Sequence, residues 1–350
     1  MGAKLSGLDV PIAPIHRIDV VGDVHGQLDA LLGVLADLGY EKERDWAHPD
    51  GRVLVFLGDL VDRGPQSLEV VQLVAQLRAH RRAHCLMGNH EFNLLESWVE
   101  GKRARGSNKD TLADIRERPE AWEAQLPFLA ALPLAIELPG LRLVHACWHI
   151  ECVRLCRQGL APQVVPASST QEDTWAWVKR HISLESPFTP TGRKERLPAW
   201  GRDGSHNTCA EVLIKGFEEP VDPKVGKVVD PDGGQWSLQR VTWWLEPERY
   251  GRDVATDLPV VFGHFWHMPP RAAGDATAPR HLVTAPGQEA ARRSDAASRP
   301  GRGRLALGLA DRFLCVDFNG MVQAGRAACI GAYRWPEHEL VWNSAGWDSP

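Results

Sequence analysis

Over the first 150 residues, short β-branched runs alternate with segments whose apolar residues return at helical spacing. His16 to Val21 reads as a strand, and Leu28, Leu31, Leu32, Leu35 and Leu38 then mark one face of a helix. A second strand is predicted over Arg52 to Leu57, a helix over Ser67 to His80 and a third strand over His84 to Met87. A helical stretch ends near Leu132, and Leu141 to Val144 forms another strand. Strand, loop, helix, strand is the pattern of an α/β fold, a sheet covered by helices, and in such sheets ligands gather at the loops that follow the strand C-termini.

Three of those loops carry polar clusters: Gly22-Asp23-Val24-His25-Gly26, Gly58-Asp59-Leu60-Val61-Asp62-Arg63-Gly64 and Gly88-Asn89-His90-Glu91. Farther along, Val260 to Phe262 and Phe313 to Phe318 look like strands, and the first runs into Gly263-His264. The tryptophan-bearing stretch 151–258, with Trp175, Trp177, Trp200, Trp236, Trp243 and Trp244, is expected to form a cap inserted into one domain spanning 14–350. Core packing is the expected role of most of these rings, with base stacking as the alternative. In the 34 residues from Arg271 to Arg304, 16 are Ala, Gly or Pro and seven Arg face three acids, so a flexible loop is expected there.

Composition narrows the partners. With 350 residues and 43% hydrophobic composition the chain builds a real core, which excludes disordered, collagenous and small disulfide-stapled classes. Forty basic against forty-five acidic side chains leave −5, so no nucleic-acid or membrane surface is expected from charge. No apolar run approaches the roughly 20 residues of a spanning helix, and the start lacks a leader pattern, so a cytoplasmic location is expected. Met1 to Ser6 fits a loose myristoylation pattern, short enough to arise by chance. The seven cysteines lack zinc-type pairing and are expected to be reduced and mostly buried.

Gathered on one rim, Asp23, His25, Asp59, Asn89, His145 and His264 offer two carboxylates, one amide oxygen and three imidazoles. Mixed nitrogen and oxygen donors suit two divalent ions, manganese first, with iron or zinc as alternatives. Asp59 is the natural bridge, with Asp23 and His25 completing one ion and Asn89, His145 and His264 the other. A metal-bridging hydroxide would be the nucleophile. Two dications against two carboxylates and one hydroxide leave a site that attracts an anion, and Arg63 would extend a fork of donors to a phosphoryl group. His90 could protonate the leaving oxygen, held in its charged form by Asp62.

The ordered blocks GDVHG, GDLVDRG, GNHE, VHAC and GHF resemble the signature of the calcineurin-like metallophosphoesterases, and the DRG resembles their phosphoprotein phosphatase branch. That resemblance implies a central β-sandwich flanked by helices, a dinuclear centre and phosphate ester or pyrophosphate hydrolysis. It also implies a second phosphate-gripping arginine, for which Arg202, in Trp200-Gly201-Arg202, is preferred and Arg240 is the alternative. The chain departs from the family at Ala146-Cys147, where Ala-Gly is usual. Glu91 is expected to make a structural hydrogen bond, and His149 to be a surface or supporting histidine. The first functional expectation is a serine/threonine protein phosphatase-like phosphomonoesterase acting on a phosphorylated protein. A symmetrical diadenosine tetraphosphate hydrolase acting on a nucleotide and a catalytically silent binding protein are the alternatives.

Overall fold

The structure is a computed structural model and describes residues 16–99, 108–159, 173–189, 191, 208–220, 228–229, 235–236, 238–245, 258–265, 302–306, 313–318 and 328–344. In chain order its elements are β1 (Ile18–Val21), α1 (Leu28–Leu38), β2 (Val53–Phe56), α2 (Ser67–Ala79), β3 (Ala83–Cys85), α3 (Asn89–Val99), α4 (Lys109–Glu117), α5 (Pro119–Glu123) and α6 (Leu126–Ala130). There follow β4 (Ala135–Leu138), β5 (Leu141–Val144), α7 (Ile150–Gly159), α8 (Thr174–Arg180), β6 (Ile182–Leu184), α9 (Cys209–Lys215), β7 (Glu218–Pro220), β8 (Val228–Val229), β9 (Gln235–Trp236) and β10 (Leu238–Arg240). The last are β11 (Val260–Phe262), β12 (Arg302–Ala306), β13 (Phe313–Cys315), β14 (Cys329–Trp335) and β15 (Glu339–Ser344).

Two mixed sheets form the centre: one ordered β12-β15-β14-β1-β2-β3, the other β13-β11-β5-β4-β6. Ile18, Val20, Val55 and Leu57 of the first pack against Ile136, Leu141, Leu143 and Val261 of the second. Alternate residues Val21, Leu54 and Phe56 face the helix layer instead, where Leu31, Val34, Leu35 and Leu38 of α1 meet them. All four residues of β1 and of β2 are therefore buried; β2 is an unbroken apolar run, and β1 is interrupted only by Asp19. The fold is the mixed α/β sandwich that the motif resemblance implied.

The early predicted elements agree with the structure to within a few residues, whereas β4, β6, β14 and β15 had no counterpart in the sequence reading. Within 151–258, β6 pairs with β4 as an edge of the second sheet, and Trp243 lies in the main core. That much of the expected cap is part of the body of the fold. The tail of the expected loop, Arg302 to Arg304, belongs to β12 and pairs with β15, and 271–301 lies outside the described residues, as do 1–15. All seven cysteines are buried and outside disulfides, as expected.

Candidate active site

Register brings the loops together. Parallel pairing sets Val21 opposite Phe56 and Phe56 opposite Cys85, so β1, β2 and β3 end level and their polar loops leave from one edge. In the second sheet Leu143 pairs with Val261, which sends His145 and His264 out side by side. The loops are then laced by backbone bonds: Val24 and His25 N–H donate to the Asp59 carbonyl at 3.0 and 2.8 Å, and Gly263 N–H donates to the His145 carbonyl at 2.8 Å. The sharp turns hold His25, Asp59, Asp62, Arg63 and His264 at positive φ, between 49° and 73°. Left-handed backbone in non-glycine residues costs energy and persists where the surroundings enforce it, commonly at functional sites. Close approach explains two motif glycines: a Cβ on Gly88 would lie 2.2 Å from Asp59 Oδ1, and one on Gly263 2.2 Å from Asp23 Oδ1.

The imidazoles are aimed by their outer nitrogens. Nδ1 of His25 donates to the Val61 carbonyl at 2.9 Å, and Nδ1 of His145 to the Leu57 carbonyl at 2.9 Å. A carbonyl can only accept, so Nδ1 carries a proton in each ring and Nε2 points inward. That of His25 lies 3.6 Å from Asp59 Oδ2 and 3.9 Å from Asp23 Oδ2; that of His145 lies 3.4 Å from Asp59 Oδ1. His264 sets Nδ1 2.7 Å from Asn89 Oδ1, and its buried Nε2 has no hydrogen-bond partner among the described residues. One ligand atom each from His25, Asp59 and His90 lie within 4.8 Å of one another, as do those of Asp59, His145 and His264. Both groups share Asp59. Either group could hold a divalent cation, and the first includes His90 where the sequence reading had placed Asp23.

Electrostatics agrees with the fit. Asp23, Asp59 and their histidine neighbours are almost fully buried, and buried carboxylates demand positive partners. Burial, followed by the charges of Asp317 and Asp59, pushes the Asp23 carboxyl well above its ordinary range. Burial would raise Asp59 too, but His145 and His90 outweigh it and hold this carboxylate well below. Burial and then Arg63 keep His25 neutral, and burial and then Arg240 do the same for His264, the state in which an imidazole binds metal.

Beside this cluster, Nδ1 of His90 stands 2.6 Å from Asp62 Oδ2, and Arg63 brings Nη2 to 3.3 Å from His90 Nε2 and Nη1 to 2.6 Å from His25 Nε2. Glu91 accepts N–H groups from Asp59, Leu60, Val61 and Gly88 at 2.7 to 3.2 Å, well beyond the single structural bond expected. Arg240 keeps an exposed surface, but its head group turns inward: Nη1 donates to the His264 carbonyl at 3.3 Å. Arg202 and Trp200 lie outside the described residues.

His149 is buried rather than on the surface; its Nδ1 accepts the Cys152 N–H at 3.3 Å at the start of α7. Trp243 is fully buried, and Trp177 is stacked between His16 and Trp335. Trp175 sits against Ala83 and His84 of β3, whose other end meets the site. None of these three rings faces the cluster. Sequence reasoning missed Asp317, buried and hydrogen-bonded to Asp23, and Thr111, whose hydroxyl donates to Asp62 Oδ1 at 2.5 Å. A lone acid after a strand and a threonine inside a helix carry no local signal of either contact.

Comparison with known proteins places this geometry. The asymmetrical bis(5'-nucleosyl)-tetraphosphatase PrpE of Oceanobacillus iheyensis is 42% identical over 258 residues, covering 71% of this chain and 96% of that protein. The protein of the same name from Halalkalibacterium halodurans is 44% identical over 107 residues, 30% of this chain and 43% of its own length. The symmetrical bis(5'-nucleosyl)-tetraphosphatase of Aliivibrio salmonicida is 32% identical over 173 residues, 48% of this chain and 57% of that protein. The calcineurin-like phosphoesterase family profile matches residues 16–264, the span that contains all six candidate ligands. The chain therefore belongs to the calcineurin-like phosphoesterases and is a metal-dependent phosphoester hydrolase.

Proposed function

We propose that this chain cleaves bis(5'-nucleosyl) polyphosphates at a dinuclear metal centre. The observation that carries the substrate class is the identity to the Oceanobacillus iheyensis tetraphosphatase along nearly that protein's whole length. It reverses the order of the sequence-based expectations, which put a serine/threonine phosphatase first. That second reading keeps one support: a buried His90–Asp62 pair helps poor alkoxide leaving groups most.

In this reading Asp23, His25 and Asp59 hold one divalent cation, and Asp59, Asn89, His145 and His264 the other, with manganese ahead of iron or zinc. When bound, such a pair polarises the phosphoryl oxygens and brings the pKa of water near neutrality. Arg63 grips the phosphoryl oxygens through its planar fork, and Arg240, whose head group turns toward His264, is taken as the second clamp in place of Arg202, the one first expected, which lies outside the described residues. His90 delivers a proton from Nε2 to the departing oxygen as the P–O bond breaks, and Asp62 orients the ring. The intact set argues against a catalytically silent platform.

A side-by-side assay on diadenosine tetraphosphate and a phosphoserine peptide tests the substrate class. Faster turnover of the nucleotide is expected; preference for the peptide would restore the phosphatase reading. His90→Asn should keep both metals yet lose about 10²–10⁴-fold on an alkyl phosphate, with a much smaller loss on nitrophenyl phosphate. Loss of a metal from that variant would make His90 a ligand instead.

A further inference from the structure

We infer that Thr111, on α4, is a positioning residue that sets the angle of the His90 ring through Asp62; this rests on the proton-donor reading of His90. The observation is a three-member chain. The Thr111 hydroxyl donates to Asp62 Oδ1 at 2.5 Å, and Asp62 Oδ2 lies 2.6 Å from His90 Nδ1. Its end, His90 Nε2, is 3.8 Å from Asp59 Oδ2 and faces the cluster. Thr111, Asp62 and His90 are 3%, 1% and 3% exposed, so water competes poorly for these bonds.

The physics lies in the carboxylate torsion. The last torsion of an aspartate side chain is broad and roughly two-fold, so one hydrogen bond leaves the plane of the carboxylate free to swing. A second bond on the other oxygen fixes the plane and, with it, the direction in which His90 presents Nε2. The main chain at Asp62, at φ 73°, is held independently by its N–H donating to Ser67 Oγ at 3.0 Å. Backbone and carboxylate are thus secured by different helices, α2 and α4.

Threonine is a mediocre helix residue, and a buried hydroxyl needs a partner. Thr111 lies on the same buried face as Leu112 and Ile115, where valine would pack equally well. Its hydroxyl is spent on a carboxylate 49 residues away in sequence rather than on a carbonyl of its own helix. The remainder of α4 is anchored without it: Asp114 accepts from Arg118 and Trp122, and Arg118 reaches Glu69 of α2 at 2.6 Å. The helix can therefore stay in place when the hydroxyl is removed.

The test compares Thr111→Val, Thr111→Ser, His90→Asn and the double variant Thr111→Val/His90→Asn, each loaded with manganese, on nitrophenyl phosphate and on an alkyl phosphate. Thr111→Val should retain both metals and an unchanged KM, lose about ten-fold in kcat on the alkyl ester, and lose less than about three-fold on the aryl ester, since misplacing a general acid hurts most where its proton is needed. Thr111→Ser should stay within about two-fold of the parent on both. The double variant should be no slower than His90→Asn on the alkyl ester, because Thr111 acts only through that ring.

Equal losses on both esters, or a serine variant as impaired as the valine one, would reduce Thr111 to a packing role. If His90→Asn itself shows no leaving-group bias, the proton-donor reading falls and the inference falls with it. A bias in His90→Asn without one in Thr111→Val overturns the inference alone. Should Thr111→Val fail to fold, Thr111→Ala takes its place against the same outcomes.

Discussion

Glu91 receives four backbone N–H groups, three of them from the loop that carries Asp59, and so shapes a metal-binding loop without being placed to touch a cation. A carboxylate offers acceptors to all four; a neutral amide would turn its NH₂ toward some of the same donors. Glu91→Gln should weaken manganese binding by about 10–100-fold while Asp59 itself remains intact, read by calorimetric titration. Unchanged affinity would mean that the loop holds its shape without Glu91. Asp59→Asn is predicted to differ in kind: removing the shared charge releases both ions, so metal content after dialysis should drop to near zero. Two retained ions would refute the bridge. The candidate ligands were legible from sequence because each follows a strand within one of the ordered blocks, all but that of His145 carrying a glycine. Glu91's reach was not, since its acceptors are filled by a loop about 30 residues upstream whose turn only the fold defines.

At the scale of elements, α8 is seated on β3 by His84. Its Nε2 donates to the Trp175 carbonyl at 2.9 Å, and the two rings stack with centroids 5.0 Å apart. Burial lowers the His84 pKa from 6.5 to about 4, so the folded chain refuses a proton that the unfolded chain accepts below pH 6.5. Stability from this group is full above that pH and falls as pH drops toward 4, by about 1.4 kcal/mol per unit, on the order of 3 kcal/mol in all. In urea unfolding across that range, His84→Asn should start less stable and show a shallower acid slope than the parent. Parallel curves would mean that His84 titrates normally. Helix α1 was readable because one face carries all its buried residues; β4, β14 and β15 were not, since Glu137, Arg334 and the Glu339 end of β15 interrupt their apolar pattern and find partners only in the folded state.

Across the whole molecule, one buried cluster joins distant parts of the chain. Asp19 of β1 is fully buried and accepts from Arg52 at 2.8 and 2.9 Å, from Arg334 of β14 at 2.9 Å and from the Tyr40 hydroxyl at 3.0 Å. It belongs to the N-terminal half of β1, whereas the metal-site loop follows the C-terminal end. Asp19→Ala would remove the carboxylate that two guanidinium groups share, leaving Arg52 to Glu337 and Arg334 to the Leu38 carbonyl, and should cost about 3 kcal/mol, yet leave kcat per folded molecule near that of the parent when assayed well below the melting temperature. A matching loss of kcat with full metal content would show that the two ends of the sheet are coupled. Trp243 is a contrasting case. It is fully buried, donates Nε1–H to the Ala146 carbonyl at 3.0 Å beside His145, and packs on Phe262. Trp243→Leu should lower stability by roughly 2–4 kcal/mol and reduce aryl phosphate and nucleotide turnover together. Selective loss of the nucleotide activity would give that ring a role in base binding.

Sequence alone singled out the candidates for the site. Six ligand candidates, Arg63 and the Asp62–His90 pair stand in short ordered blocks that follow strands, and it is the resemblance of those blocks to the calcineurin-like metallophosphoesterases that marks them. It also determined the early strands and helices, because there the local apolar period and the burial seen in the fold coincide. Tertiary structure decided what depends on register and on long-range contact. It brought Asp317 against Asp23 and Thr111 against Asp62, gave Glu91 its four donors, and turned the Arg240 head group toward His264. It also took Trp177 and Trp243 into packing roles that composition could not separate from stacking ones. A hydrogen bond between residues 49 apart leaves no mark in either neighbourhood, and only the closing of the two sheets and their helices brings such groups within reach.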